Sequence, residues 1–92
     1  MHWEQVMHKD ANGWWRCVVD TGESLHYIYR MTLQGQQQQL RSHVINTWCS
    51  QQLPKGKWRD LGVLWRKPHM PNTHEWAFKR RCDAVLFALT WG

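Results

Sequence analysis

Eight tryptophans in a chain of 92 residues are the feature that most limits how this protein folds. Tryptophan buries a large apolar area, but its indole N–H needs a hydrogen-bond partner, so a small core accommodates few of these rings. Protein interfaces, by contrast, are enriched in tryptophan anchors. We therefore expect some of the eight rings to lie at a surface that binds another molecule.

The length of the chain suits one domain around one hydrophobic core and leaves too little chain for a deep, walled catalytic cleft. The hydrophobic content of 42% argues against a disordered chain. We predict a single α+β domain over residues 1–92, in which a small antiparallel β-hairpin or sheet packs against two helices.

The first third of the chain predicts the β-hairpin. Residues 14–19 are rich in strand formers, and adjacent Trp14 and Trp15 must face opposite sides of a strand. One of these two rings is then exposed or covered by another element. Residues 20–24 supply turn chemistry, and residues 25–33 alternate in hydrophobicity. This alternation predicts a second strand with one face in the core, formed by Leu25, Tyr27, Tyr29, Met31 and Leu33.

Two helices are predicted further along the chain. The first runs from about residue 37 to residue 52, and its apolar stripe consists of Leu40, Val44, Ile45, Trp48 and Cys49. The second follows residues 72–75, which resemble a capping box with Asn72 as the cap. Its apolar side consists of Phe78, Cys82, Val85, Leu86 and Leu89. Residues 58–65 fit either a helix or a strand, and the prolines of residues 67–71 predict a loop.

The residues that carry enzyme chemistry lack the required spacing. Cys17, Cys49 and Cys82 are odd in number and far apart, which indicates reduced, packed thiols and no disulfide framework. His69 and His74 have metal-ligand spacing, but no paired cysteines accompany them. Carboxylates are dispersed, and no glycine-rich phosphate loop occurs. We therefore expect a non-enzymatic protein with no catalytic residue, no metal and no cofactor.

Targeting and membrane signals are not expected either. The chain begins Met-His-Trp-Glu, without the charged and apolar regions of a signal peptide. Its longest apolar run, residues 84–89, is much shorter than the roughly 20 residues of a membrane span. These patterns predict a cytoplasmic protein without a membrane partner.

Positive charge points to the kind of partner. Twelve lysines and arginines against seven acidic residues give a net charge of +5, which favours acidic partners such as nucleic acid or an acidic protein face. Cations cluster between residues 55 and 69, around two Trp-Arg pairs. The predicted partner-binding residues are Lys55, Lys57, Trp58, Arg59, Trp65, Arg66, Lys67, Pro68 and His69.

The Trp-Arg pairs are compatible with two classes of partner. An aromatic ring beside a guanidinium suits an anchor in a protein interface, and it equally suits base stacking with phosphate contact. A buried tryptophan beside a solvated arginine is the alternative without a binding role. The abundance of interface-type anchors favours a protein partner, and a single-stranded nucleic-acid-binding module is the alternative function.

Residues 65–71, which read Trp-Arg-Lys-Pro-His-Met-Pro, resemble a segment of the small anti-RecBCD proteins that lambdoid phages encode. The short, basic chain is similar to these proteins as well. The resemblance implies a phage-type inhibitor that docks on a host recombination helicase-nuclease and modulates it in the bacterial cytoplasm. It assigns no individual binding residue.

Pro68 suggests an additional partner. Residues 67–71 contain two X-Pro bonds, which in a flexible loop exchange between cis and trans over tens of seconds or longer. We expect Pro71 to be fixed by the helix entry at Asn72, so Pro68 is the candidate for a slow isomerisation step. A prolyl isomerase is therefore a predicted partner at Pro68.

Overall fold

A four-stranded antiparallel sheet forms the middle of the molecule in the computed structural model, which describes residues 7–64 and 72–92. The strands lie in the order β1-β2-β4-β3 and comprise β1 (Met7–Lys9), β2 (Trp15–Asp20), β3 (Trp58–Val63) and β4 (Thr73–Phe78). The helices are α1 (Leu25–Leu33), α2 (Arg41–Gln52) and α3 (Arg81–Trp91), with a short 3-10 helix (Gln37–Gln39) before α2. The predicted α+β class is confirmed.

Strand β4 is buried along its whole length between β2 and β3. On one side of the sheet, here called the core face, Trp76 and Phe78 pack against Phe87 of α3, with ring centroids 5.3 and 4.8 Å away. Helix α2 adds Ile45 and Cys49 to this cluster. The opposite side of the sheet, here called the outer face, contributes no residue to it.

Residues 25–33 form helix α1, so the predicted hairpin is wrong. The Ser24 hydroxyl accepts a hydrogen bond from the Tyr27 N–H at 3.1 Å, which caps the start of the helix. Gly35, with φ at 69°, follows its end in the left-handed conformation that terminates many helices. The real neighbours of β2 are β1 and β4.

The predicted core face of residues 25–33 is also wrong. Tyr29 and Leu33 are 62% and 68% exposed, Leu25 and Tyr27 are exposed as well, and only Met31 of this helix is buried. Over nine residues, an alternating pattern also contains the i, i+4, i+8 spacing of Leu25, Tyr29 and Leu33. The two local caps decide in favour of the helix.

Helix α2 confirms most of the first predicted helix, and Glu23 fixes where it begins. The N-cap residue Leu40 has no side-chain oxygen. The buried Glu23 carboxylate takes over that role and accepts hydrogen bonds from the backbone N–H groups of Arg41 and Ser42 at 2.6 and 3.1 Å. Of the predicted stripe, Leu40, Ile45 and Cys49 are buried, Trp48 is half-buried, and Val44 is exposed.

The second predicted helix begins too early. Asn72 does not cap a helix; it has φ of 63° and precedes strand β4. Helix α3 begins only at Arg81 and buries Ala84, Phe87 and Ala88 against the sheet. The small side chains of Ala84 and Ala88 face the sheet together with Phe87, so the buried side of the helix differs from the predicted apolar stripe. Of that stripe, Cys82, Leu86 and Leu89 are exposed and Val85 is half-buried, whereas Phe78 belongs to β4.

The ambiguous segment after α2 is a strand. Strand β3 pairs with β4 from Trp58 to Val63, with a bulge between Asp60 and Gly62. Gly62 has φ of 86°, a conformation that side chains with a Cβ rarely adopt. The bulge interrupts the alternation that would have indicated a strand in the sequence.

In the described part of the chain, no helix is long and apolar enough to cross a membrane.

Candidate partner-binding surface

The predicted surface between residues 55 and 69 lies partly within the described residues. The structure places Lys55 and Lys57 in the turn before β3, and Trp58 and Arg59 at the start of that strand. The other five predicted residues, Trp65, Arg66, Lys67, Pro68 and His69, lie outside the described residues. The prediction of a slow step and a prolyl isomerase at Pro68 therefore stays a prediction.

Most of the positive charge gathers at one end of the sheet. There β1 and β4 end, while β2 and β3 begin. Ten of the twelve lysines and arginines are described, and only Arg30 and Arg41 lie elsewhere. The other eight define what we call the basic end: Lys9, Arg16, Lys55, Lys57, Arg59, Lys79, Arg80 and Arg81.

Arg59 and Trp14 form the closest cation-π pair in the described part of the protein. The guanidinium carbon of Arg59 lies 4.2 Å from the centroid of the Trp14 ring. Arg59 on β3 and Arg16 on β2 are both register partners of Ala77 on the central strand β4. Because Ala77 has only a methyl group, the Arg59 side chain crosses the central strand to reach Trp14. We call this pair the Arg59–Trp14 stack.

Trp15, next in the chain, faces the other way. Its ring packs against the core cluster, and Lys9 and Arg81 each lie 5.7 Å from its centroid. This arrangement confirms the prediction that adjacent Trp14 and Trp15 use opposite sides of the strand, with Trp14 covered by Arg59.

Two lysines adjoin the Arg59–Trp14 stack. The Lys79 N–H donates to the Lys57 carbonyl at 2.9 Å, so the pairing of β3 and β4 continues one step beyond the strands. Lys57 precedes Arg59 by two residues and Lys79 follows Ala77 by two, which places both lysines on the outer face by strand alternation. The outer face of the basic end thus combines three cations with one indole ring.

The carboxylates near the basic end are already paired within the protein. Arg16 binds Asp10 at 3.1 Å and the buried Glu75 at 3.3 Å, while Arg80 binds Asp83 at 2.9 Å. Backbone N–H groups of Trp14 and Asn12, followed by the Arg16 guanidinium, hold the pKa of Asp10 below its ordinary value against the opposing effect of burial. Arg16 and Arg80 are therefore structural cations and not free ones.

Five other cations of the basic end differ from these two. Within residues 7–64 and 72–92, no carboxylate forms an ion pair with Lys9, Lys55, Lys57, Arg59 or Lys79. Sequence reasoning found Lys55, Lys57 and Arg59 but missed Lys9 and Lys79, because only the pairing of distant strands brings them to the same end of the sheet. Lys79 lies near Arg59 on the outer face, whereas Lys9 lies over the Trp15 ring on the core face.

Among the described residues, no tryptophan is fully exposed. Of the six described rings, Trp76 is fully buried and the other five are half-buried. Trp48 and Trp91 meet edge to face at 6.2 Å and line an apolar cleft of about 320 Å³ beside α2. Even the predicted partner-binding residue Trp58 packs against the core cluster.

A second polar cluster, which the sequence did not reveal, joins the buried Trp76 and His74 to the exposed Asp60. The Trp76 indole donates to Asn46 at 2.7 Å, Asn46 donates to Asp60 at 2.7 Å, and Asp60 also bonds the buried His74 ring. Burial alone would raise the pKa of Asp60, but the hydrogen bonds from His74 and Asn46 outweigh it and hold this pKa below its ordinary value. We call these four residues the Asp60 network.

The cysteines show two different environments. Burial raises the pKa of both Cys17 and Cys49 to about 12, and nearby carboxylates, Glu75 and Asp60 respectively, add to the effect. Such thiols are poor nucleophiles at neutral pH. Cys82, predicted to be packed, is exposed instead. Among the described residues, no group of three histidine, cysteine or acidic side chains is arranged to hold a metal ion.

Comparisons with protein-family models, with curated proteins and with solved structures give no match to this chain.

Proposed function

We propose that this protein is a non-enzymatic binding module that docks through its basic end on a larger, negatively charged partner. The observation that carries the proposal is the set of cations at this end that have no acidic partner among the described residues. Clustered charge of one sign attracts oppositely charged macromolecules and raises their rate of association.

The distribution of the acidic groups supports this proposal. Glu23 caps α2, Asp60 bonds His74 and Asn46, and Glu75, Asp10 and Asp83 bind arginines. Because these carboxylates serve the fold, the unpaired positive charge of the described residues lies mainly at the basic end. Solubility alone does not require cations to gather at one end.

Two double variants of equal net charge test the proposal. Lys57→Gln with Lys79→Gln neutralises the basic end, whereas Arg30→Gln with Arg41→Gln removes the same charge elsewhere. On immobilised heparin and on immobilised poly-glutamate, we expect the first variant to elute at lower salt than the second. Equal elution of the two variants from both matrices would show that only net charge matters, and the proposal would be wrong.

A second candidate is docking on a protein complex, and exposed apolar side chains favour it. Leu86 and Leu89 on α3 are 46% and 64% exposed, and the cleft beside Trp48 and Trp91 is apolar as well. Exposed apolar side chains and an apolar cleft suit a protein partner. Under this candidate the protein is a phage-type modulator of a bacterial recombination helicase-nuclease, as the resemblance of residues 65–71 implies.

Direct binding to purified RecBCD tests the second candidate. We expect co-elution in gel filtration, and we expect Leu86→Gln with Leu89→Gln to abolish it while far-UV circular dichroism stays unchanged. Absence of a complex with the unaltered protein would refute this candidate without touching the first.

A further inference from the structure

We infer that the outer face of the basic end binds single-stranded nucleic acid, with an unpaired base stacked on the free side of the Arg59–Trp14 stack. This inference rests on the proposed function and names the partner for the same site. Its starting point is the position of Arg59, which is exposed although its guanidinium lies 4.2 Å from the Trp14 ring.

A guanidinium group is planar and has two faces. The Arg59 guanidinium lies over the Trp14 ring, and the residue is exposed, which leaves the side that points away from Trp14 for a ligand. Nucleobases stack on arginine planes as they do on aromatic rings. A base on the free face would form the third layer of the stack, after Trp14 and Arg59.

The hydrogen-bonding groups of Arg59 are equally available. Its five N–H donors lie in the guanidinium plane, and none forms a hydrogen bond to another described residue. These donors suit the bidentate contact that arginine makes with phosphate. Arg16, on the other side of Ala77, lacks this freedom because Asp10 and Glu75 hold it.

Lys57 and Lys79 supply the adjoining positive charge. Both flank Arg59 and Ala77 on the outer face, and their backbones are joined by the 2.9 Å hydrogen bond. Lysine binds phosphate as a point charge and needs no fixed geometry. The three cations therefore fit a chain of phosphates that passes beside one stacked base.

The stack favours a nucleic-acid strand over an acidic protein face. Carboxylates of a protein partner would use the charge of Arg59 but not the free face of its guanidinium. A duplex keeps the faces of its bases stacked inside, so it offers phosphates and the base edges in its grooves but no free base face on which Arg59 could stack. An unpaired base can stack on the guanidinium plane that Trp14 supports from behind, while the adjoining phosphate binds the positive charge.

Fluorescence anisotropy with a labelled oligo-dT of about 15 nucleotides tests the inference, since this length covers the site of a typical single-strand-binding module. Arg59→Ala should weaken binding on the order of tenfold through loss of the stacked base. Arg59→Lys is the matched control for charge. We expect it to bind more weakly than the unaltered protein while the dependence on salt stays the same.

Salt titration separates the contribution of the lysines to affinity from that of the Arg59–Trp14 stack. Lys57→Gln with Lys79→Gln should reduce the slope of log affinity against log salt by about two, one for each phosphate contact. Arg30→Ala should leave affinity and slope unchanged. The duplex of oligo-dT with oligo-dA should bind more weakly than the single strand, most clearly at about 200 mM salt, where phosphate attraction is reduced.

Two results would overturn the inference. Equal affinity of Arg59→Lys, Arg59→Ala and the unaltered protein for oligo-dT would show that no base stacks on Arg59. Basic-end-dependent retention on poly-glutamate without binding of oligo-dT would mean that the partner is an acidic protein, and the proposed function would stand. If retention on heparin and poly-glutamate also fails to depend on the basic end, both proposals fall.

Discussion

The centre of the sheet and the basic end both bring an aromatic ring together with polar side chains, but they use them differently. In the Asp60 network, Trp76 is fully buried and its indole, Asn46, Asp60 and His74 bond one another in a chain. At the basic end, Trp14 is half-buried and its cationic partner Arg59 is exposed, without a carboxylate beside it in the described residues.

The difference shows how to separate residues that hold the fold from residues that bind a partner. A buried polar group must find partners inside the protein, because leaving it unpaired costs about 1–3 kcal/mol. An exposed cation pays no such penalty and can stay unpaired until another molecule arrives. Substitutions in the Asp60 network should therefore lower stability, whereas substitutions at the basic end should lower affinity.

The largest expected loss of stability comes from Trp76. Trp76→Ala removes a fully buried ring that contacts Phe87 and His74, and it leaves Asn46 without a donor. Truncation of a buried tryptophan costs about 3–5 kcal/mol of unfolding free energy. Urea denaturation followed by circular dichroism measures this loss, with Trp14→Ala as the matched control at the surface. A Trp14→Ala variant that is destabilised as much as Trp76→Ala would remove the distinction between the two regions.

Asp60 should produce an intermediate and pH-dependent loss. Asp60→Ala leaves His74 and Asn46 without their acceptor, at a cost of about 1–3 kcal/mol at pH 7. Because folding lowers the pKa of Asp60, its carboxylate stabilises the native state above the ordinary pKa of about 3.9. This contribution is lost as the pH falls from about 5 through the lowered pKa.

Denaturation of both proteins across this pH range checks the sign. The stability gap between the unaltered protein and Asp60→Ala should narrow as the pH falls. A constant gap from pH 7 to pH 3 would mean that ionisation of Asp60 contributes nothing to folding.

Glu23 should have a smaller effect that is confined to one helix. Its carboxylate replaces the missing N-cap side chain of α2. Removal of an N-cap acceptor costs about 1 kcal/mol, so Glu23→Ala should lower stability by that amount. Glu23→Gln keeps one acceptor oxygen and should lose less. Hydrogen exchange of the Arg41 and Ser42 amides would report the fraying directly; unchanged exchange rates would show that the carboxylate does not cap the helix.

The sequence was sufficient for the fold class and for most of α2, where apolar residues recur at helical spacing between Leu40 and Cys49. It was not sufficient for α1, because nine residues fit both periods and the caps at Ser24 and Gly35 decide between them. Strand β4 escaped detection because it is buried on both faces and carries Glu75 and His74 inside the fold. The partners of Glu75 and His74 come from other strands, so no pattern in the nearby sequence indicates that these two polar residues are buried.

Only the part of the candidate site that consists of residues close together in the chain was predictable from the sequence. Lys57 and Arg59 stand out because they surround a tryptophan in the chain. Trp14 and Lys79 join them through the pairing of β2 and β3 with β4, over more than 40 and 20 residues of intervening chain respectively. The wrong placement of residues 72–78 in a helix concealed this arrangement, since it removed the central strand.

The smallest expected change in stability is that of Arg59→Ala, although this residue is central to the proposed site. The Arg59 side chain is exposed and forms no ion pair with a described residue, so its loss should cost only its cation-π contact with Trp14, about 0.5–1 kcal/mol of unfolding free energy. Arg16→Ala is the matched control on the same row of the sheet. It leaves the buried Glu75 carboxylate unpaired and should destabilise the protein more. Urea denaturation of the two variants under identical conditions decides between the roles. Equal losses would place Arg59 among the residues that hold the fold, and its effect on affinity would then no longer identify a binding surface.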